Sequence, residues 1–193
     1  MRPDRQRLAQ QIFGASRAHD AAQADRRLRF RNVEPETAEL LALLILSTRA
    51  RSILEIGTSN GYSTMWLADA AAATDGAVVS VDIDPERAEM ARANLAKAEL
   101  AAELRTEDAA QTLQQASDGR WDFIFLDAER PAYASYWPDV LRTLRPDGGL
   151  LAIDNVLSHA DEVADVTRLI EREPSVESLL LPIGAGLRLV VRS

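Results

Sequence analysis

Five short segments of this chain each end an apolar run in groups suited to a charged or oxygen-rich ligand. The first is Glu55-Ile56-Gly57-Thr58-Ser59-Asn60-Gly61-Tyr62-Ser63. Its glycines let backbone approach a ligand, and a helix starting there would aim free N–H groups at it. The spacing is Gly-x-x-x-Gly with an acid two residues ahead, unlike the Gly-x-Gly-x-x-Gly dinucleotide fingerprint. Such an acid would repel a pyrophosphate but could receive a ligand ammonium; a tight turn without ligand is the plainer alternative. The second segment, Val81-Asp82-Ile83-Asp84-Pro85, offers Asp82 for the two hydroxyls of a ribose, while Asp84 before proline reads as a helix N-cap. The third, Glu107-Asp108-Ala109, could accept from an adenine amino group or simply cap a helix. The last two end in Asp127-Ala128-Glu129-Arg130 and Asp154-Asn155. Either alone reads as a turn cap. Together, Asp127, Asp154 and Asn155 are an oxygen-only set suited to Mg²⁺, Mn²⁺ or Ca²⁺ with positions left for substrate oxygens.

These segments must be held by strands and helices in alternation. Residues 4–29 suit a helical N-terminal extension, and Pro35 opens a second helix whose run Leu40–Leu46 predicts deep burial. Strands are expected at 53–56, 77–81, 103–105, 121–126 and 149–153, with helices through Trp66–Ala71, 84–98, after Ala109, 132–144 and 160–172. Val176–Leu181 and Leu187–Val191 flank Pro182-Ile183-Gly184-Ala185-Gly186 as a closing hairpin. The expected fold is therefore α/β: a Rossmann-like, seven-stranded sheet, mostly parallel with the last strand antiparallel, and helices on both faces. Residues 1–193 read as one domain, with 1–31 as its N-terminal extension. In such sheets ligands bind beyond the C-terminal strand ends, where all five segments fall.

Composition narrows the chemistry. The 193 residues include no cysteine and two histidines, which excludes disulfides, zinc–thiolate sites, cysteine nucleophiles and a multi-histidine metal site within one chain. The longest apolar run is far below the ~20 residues of a membrane span, and the N-terminus lacks a signal-like apolar stretch, so a cytoplasmic protein is expected. Net charge is −8, but residues 1–31 hold eight arginines against three aspartates, +5, leaving 14 basic and 27 acidic residues beyond. An extensive nucleic-acid face on the acidic body is not expected.

With these motifs in place, the chain from about residue 32 resembles the cation-dependent class I S-adenosylmethionine O-methyltransferases, the family of catechol and caffeoyl-coenzyme A O-methyltransferases. The matching segments are Ile53–Ala68, Val81–Glu86, Asp122–Arg130, Gly148–Leu157 and Leu181–Leu187. The resemblance implies S-adenosylmethionine as cofactor, with Glu55, Gly57, Ser59 and Ser63 at its methionine end and Val33 as an upstream backbone contact. It extends the cofactor set to Thr58, Gly61, Tyr62, Ile83 and Asp127, puts Asp82 at the ribose, and Asp108 and Ala109 at adenine. It makes Asp127, Asp154 and Asn155 ligands of a divalent cation, Mg²⁺ foremost, and Asp127 and Arg130 the catalytic pair. It also implies a homodimer and a small hydroxylated aromatic substrate.

Two departures matter. The family's general-base lysine, three residues after the first metal aspartate, is Arg130 here, and arginine stays protonated. Lys97, the chain's one lysine, falls at the end of a helix elsewhere, which leaves the metal alone or Glu129 to acidify the hydroxyl. Arg130 could instead stabilise a phenolate or hold an acidic substrate. The stretch after Asn155 is also short, which predicts an open acceptor site with His159 near it. Tyr133, Tyr136, Trp137 and Trp66 are either core or pocket lining. The leading reading is a Mg²⁺-dependent O-methyltransferase of catechol-like diols. Its alternatives are a tRNA hydroxyuridine O-methyltransferase using the basic N-terminus, and a non-catalytic S-adenosylmethionine-binding protein.

Overall fold

The computed structural model describes residues 1–193. Seven strands form one sheet: β1 (Ser52–Ile56), β2 (Ala77–Asp82), β3 (Glu103–Thr106), β4 (Phe123–Leu126), β5 (Leu150–Ile153), β6 (Val176–Leu181) and β7 (Leu187–Arg192). Their order is β3-β2-β1-β4-β5-β7-β6. The first five are parallel to one another, and β7 runs antiparallel between β5 and β6. The helices are α1 (Pro3–Ala22), α2 (Pro35–Thr48), α3 (Tyr62–Ala73), α4 (Pro85–Lys97), α5 (Ala109–Gln115), α6 (Tyr133–Thr143) and α7 (Ala164–Arg172). None is long and apolar enough to cross a membrane.

Both sheet faces are covered, so the central strands are apolar at successive positions. Ile53, Phe123, Phe125 and Leu150 pack with α2 and α3 in one core, while Leu54, Ile124, Leu126 and Leu151 pack with α5, α6 and α7 in the other. The expected architecture is the one observed.

Several boundaries differ. The N-terminal helix stops at Ala22 because the Asp20 carboxylate accepts the Phe30 and Arg31 N–H groups at 2.7 and 2.9 Å, turning the chain back through a 3-10 turn at Arg26–Leu28. Trp121 makes a single bridge to Leu144 rather than joining β4. The helix expected from residue 160 starts at Ala164, because the N–H groups of Val156, Leu157 and Ser158 bond carbonyls of the β6–β7 loop. α2 is buried on one side only: Leu41 and Ile45 are enclosed, whereas Leu43 is 62% exposed.

Candidate active site

The site is assembled by strand register. Ile56 is paired with Val81 and Leu126, and Leu126 with Ile153. The residues that follow, Asp82, Gly57, Asp127 and Asp154, therefore form one row along the C-terminal edge. Main-chain bonds carry the row past the strands: Gly57 N to Val81 O at 2.9 Å, Asp127 N to Ile56 O at 2.9 Å and Asp154 N to Leu126 O at 3.2 Å. The row straddles the point between β1 and β4 where the strand order reverses, the usual ligand crevice of such sheets.

Glycine at position 57 is required twice over. Its φ is +108°, and a Cβ there would lie 2.0 Å from the Asp127 carbonyl oxygen. This close approach brings the loop before α3 against the end of β4. Beneath the loop Glu55 is fully buried, with Ser63, Thr64 and Ser80 hydroxyls donating to its two oxygens at 2.5–2.6 Å. Burial pushes its carboxyl up to about 7 in spite of those donors. Glu55 is enclosed, and it props the loop from below. Thr58 and Ser80 hydroxyls pair at 2.6 Å, the Tyr62 ring packs on Phe13 of α1, and Val33 is buried. Any ligand contact from Thr58, Tyr62 or Val33 must come through main chain.

Asp82 accepts from Ser59 N at 2.8 Å and Asp84 N at 3.0 Å, so its carboxylate is fixed in orientation. Asp84 caps α4, as expected. Ile83 beside it is 71% exposed, an apolar plate left in water. Asp108 caps α5 through Ala110 N and also takes the Tyr136 hydroxyl at 3.4 Å. Tyr136 thus reaches the end of β3, while Tyr133, Trp137 and Trp66 are core residues. The Tyr133 hydroxyl is bracketed by Ala128 N and O at 3.0 and 3.1 Å, pinning the turn after Asp127.

The sharpest electrostatic feature is the aspartate pair. The Asn155 amide nitrogen donates to Asp127 Oδ1 at 2.9 Å and Asp154 Oδ2 at 3.2 Å, so the three side chains converge. Asp154 is 3% exposed, and its Oδ1 is buried without a partner. Burial, then the neighbouring carboxylate, pushes Asp127 well above the usual range. Burial likewise pushes Asp154 up, to about 6. No guanidinium is ion-paired with either. Two buried carboxylates with an orphaned oxygen could hold a cation, whose positive charge would answer them. An amide half-turn would exchange the Asn155 nitrogen for its oxygen, completing an oxygen-only donor set.

Around this pair lies a charged rim. Arg130, on the 3-10 turn Arg130–Ala132, is 5% exposed and donates through Nε to Glu162 at 2.8 Å. Arg31 bonds Glu129 at 2.7 Å and holds that carboxyl below its usual range. Arg26 bonds His159 Nε2 at 2.9 Å, and Ser158 bonds its Nδ1 at 2.8 Å. Burial and Arg130 lower the imidazole. Arg31, Asp20, Thr64, Ser80 and Glu162 were not legible as site residues, since each enters through long-range contacts; for Thr64 and Ser80 the one available signal was a hydroxyl near the end of an otherwise apolar stretch.

A profile of the O-methyltransferase family matches residues 18–193. A catechol O-methyltransferase of Niastella koreensis is 37% identical over 131 residues, 65% of this chain and 58% of that protein. Another, from Mycobacterium tuberculosis, is 36% identical over 148 residues, 76% of this chain and 64% of that protein. The alignments thus span less than two thirds of either relative's length. The crystal structure of the O-methyltransferase from Bacillus cereus in complex with SAH has a TM-score of 0.80 at 27% identity, covering 96% of this chain and 90% of that one.

Proposed function

Because the chain belongs to the O-methyltransferase family, we propose that it transfers a methyl group from S-adenosylmethionine to one hydroxyl of a catechol-like vicinal diol, with a divalent cation, Mg²⁺ foremost, at the aspartate pair. The observation that carries this reading is the buried Asp127–Asp154 pair, with its unpartnered Oδ1, in register beside the Gly57 loop. In this reading Gly57, Ser59, Gly61 and Ser63, with main chain of Val33, Thr58 and Tyr62, hold the methionine end. Asp82 holds the ribose hydroxyls, exposed Ile83 the adenine face, and Asp108 and Ala109 the adenine edge. Asp127, Asp154 and Asn155 would hold the cation, with Asp127 also bordering the cofactor.

The cofactor supplies an electrophilic methyl on a sulfonium, and the cation supplies Lewis acidity that lowers a hydroxyl pKa. The chain supplies position and charge. Adjacent registers bring the cation donors and the cofactor loop within one crevice, which suits in-line attack. Arg130 cannot accept a proton, and Glu129, held low by Arg31, is a weak base. A residue at the lysine position therefore does not take the hydroxyl proton.

A tRNA acceptor is not favoured, because the body beyond residue 31 carries 14 basic against 27 acidic residues, and at least three of the eight N-terminal arginines bond within the chain. Arg5 bonds Asp69 at 2.7 Å and the carbonyls of Ala98 and Glu99, Arg29 bonds the Gln23 carbonyl, and Arg31 bonds Glu129. Apolar side chains left exposed on α2, Leu43 and Leu46, support a homodimer, which sedimentation at several concentrations would test.

The direct test is transfer of labelled methyl to a panel of catechols with Mg²⁺ and with EDTA. Turnover that EDTA abolishes is expected. Turnover indifferent to EDTA would remove the cation from the reading; no turnover on any diol would leave a cofactor-binding protein.

A further inference from the structure

Between α1 and α2 the chain makes a loop, residues 23–31, that reaches four strand ends at once. Its base is closed by the Asp20 carboxylate on the Phe30 and Arg31 N–H groups, with the His19 and Phe30 rings 4.4 Å apart. Its body is held by its own bonds: Arg29 donates to the Gln23 carbonyl at 2.7 Å, and the Arg27 N–H to the Asp25 carboxylate at 2.9 Å. Arg87 of α4, after β2, donates to the Arg27 and Arg29 carbonyls at 2.6 and 3.0 Å. The Ser59 hydroxyl, after β1, donates to the Phe30 carbonyl at 3.0 Å. Arg31 donates to Glu129, after β4, at 2.7 Å, and Arg26 to His159, after β5, at 2.9 Å. These four strands are consecutive in the sheet, so the loop crosses the row Asp82, Gly57, Asp127 and Asp154. It stops short of β3, where Asp108 stays exposed.

The attachments of this loop to the strand ends are polar throughout. None of residues 23–31 is buried, and Leu28 is 58% exposed. Exposed hydrogen bonds and ion pairs of this kind contribute little in water. The flanks, by contrast, are anchored: Phe13 of α1 packs on Tyr62, and Val33 is buried. Arg31 supplies a joint between loop and anchor, at a left-handed φ of +54° that disfavours side chains. A weakly fastened loop between firm flanks is the kind of unit that opens locally while the fold stays intact.

We propose that residues 23–31 form a lid over the methionine end of the cofactor, which opens by releasing the Arg26–His159 and Arg87 contacts to admit S-adenosylmethionine and free S-adenosylhomocysteine. This rests on the cofactor reading above. Closure takes the reacting end out of water, which strengthens the interactions made there.

The chain has no cysteine, so Arg26→Cys with His159→Cys gives a unique pair for a bismaleimide that reductant cleaves. Mass spectrometry confirms the link, and rapid filtration with labelled S-adenosylhomocysteine gives association and release rates. Linked before ligand is added, the protein is expected to bind at least about tenfold more slowly; linked after loading, it should release at least about tenfold more slowly. Reductant should restore both rates. Arg87→Ala, which frees the other side of the loop, should raise association and release rates together, whereas loss of a plain ligand contact moves release alone. Hydrogen exchange on the wild-type protein reads opening without any ligand. The bonded amides of Leu28, Arg29, Phe30 and Arg31 should exchange far faster than those of α3, and slow when S-adenosylhomocysteine is added. Equal rates with and without the link overturn the proposal, as does protection of these amides equal to that of α3. A wild-type protein that binds no S-adenosylhomocysteine, yet opens by exchange, would fail the cofactor reading and not the lid.

Discussion

At the scale of single residues, the site is a set of unmet charges. Asp127 and Asp154 are buried side by side, and no cation of the chain is paired with them. Asp154→Asn removes one of two repelling carboxylates while keeping volume. It is expected to raise the melting temperature in cation-free buffer near neutral pH and to lower kcat/KM by on the order of a hundredfold or more. Calorimetry with and without Mg²⁺, beside steady-state rates, checks both; wild-type turnover in this variant would remove Asp154 from the cation site. Glu55 is the opposite case, a carboxylate fully answered by hydroxyls. Glu55→Ala leaves Ser63, Thr64 and Ser80 without their acceptor and opens a cavity, for an expected loss of about 3 kcal/mol in urea unfolding. Weaker S-adenosylmethionine binding should accompany it, because the loop loses its support. The acid at position 55 was visible in the motif, but its hydroxyl partners were not: Thr64 and Ser80, outside the Gly57–Ser63 turn, arrive from α3 and β2.

At the scale of elements, the strand ends do the positioning. The parallel registers of β2, β1, β4 and β5 line up Asp82, Gly57, Asp127 and Asp154, and the gap between β1 and β4 is closed by a glycine. Gly57→Ala would drive a Cβ into the Asp127 carbonyl at a φ that disfavours side chains. A stability loss of about 2 kcal/mol or more and loss of cofactor binding are expected, read by denaturant melts and by titration with S-adenosylmethionine. A Gly57→Ala protein that binds cofactor normally would show that the loop can shift without cost. The strand–helix alternation was legible because buried parallel strands are apolar at consecutive positions and their helices carry caps such as Asp84. The ends of α1 and α7 were not, since they are decided by Asp20 reaching Phe30 and by the β6–β7 loop reaching Val156.

At the scale of the whole molecule, these buried carboxyls couple stability to pH and to cation. Asp127, Asp154 and Glu55 all have carboxyls raised above their unfolded values near 4, with Asp154 at about 6 and Glu55 at about 7. The folded state therefore holds more protons than the unfolded chain across that window. Their stabilising contribution is full below the unfolded values and is lost as pH rises through the folded ones. In EDTA, the melting temperature is expected to fall between about pH 5 and about pH 8. Saturating Mg²⁺ should flatten the part due to the aspartate pair and leave the part due to Glu55, because a ligand that binds only the folded state stabilises it. A melting temperature that rises over this range in EDTA would contradict the burial assigned to these groups.

The sequence by itself determined the alternation of elements, the edge of the sheet that carries chemistry and the residue types standing there. Those follow from local patterns: apolar runs, glycine turns, proline-led helices and acids placed just after strands. Only the tertiary structure decided that Glu55 lies under the loop, that Asp154 keeps an unanswered oxygen and that Arg130 is buried with one partner. Burial and partnership depend on which distant segments converge, and no spacing along the chain encodes how near Ser80 comes to Glu55 or Glu162 to Arg130.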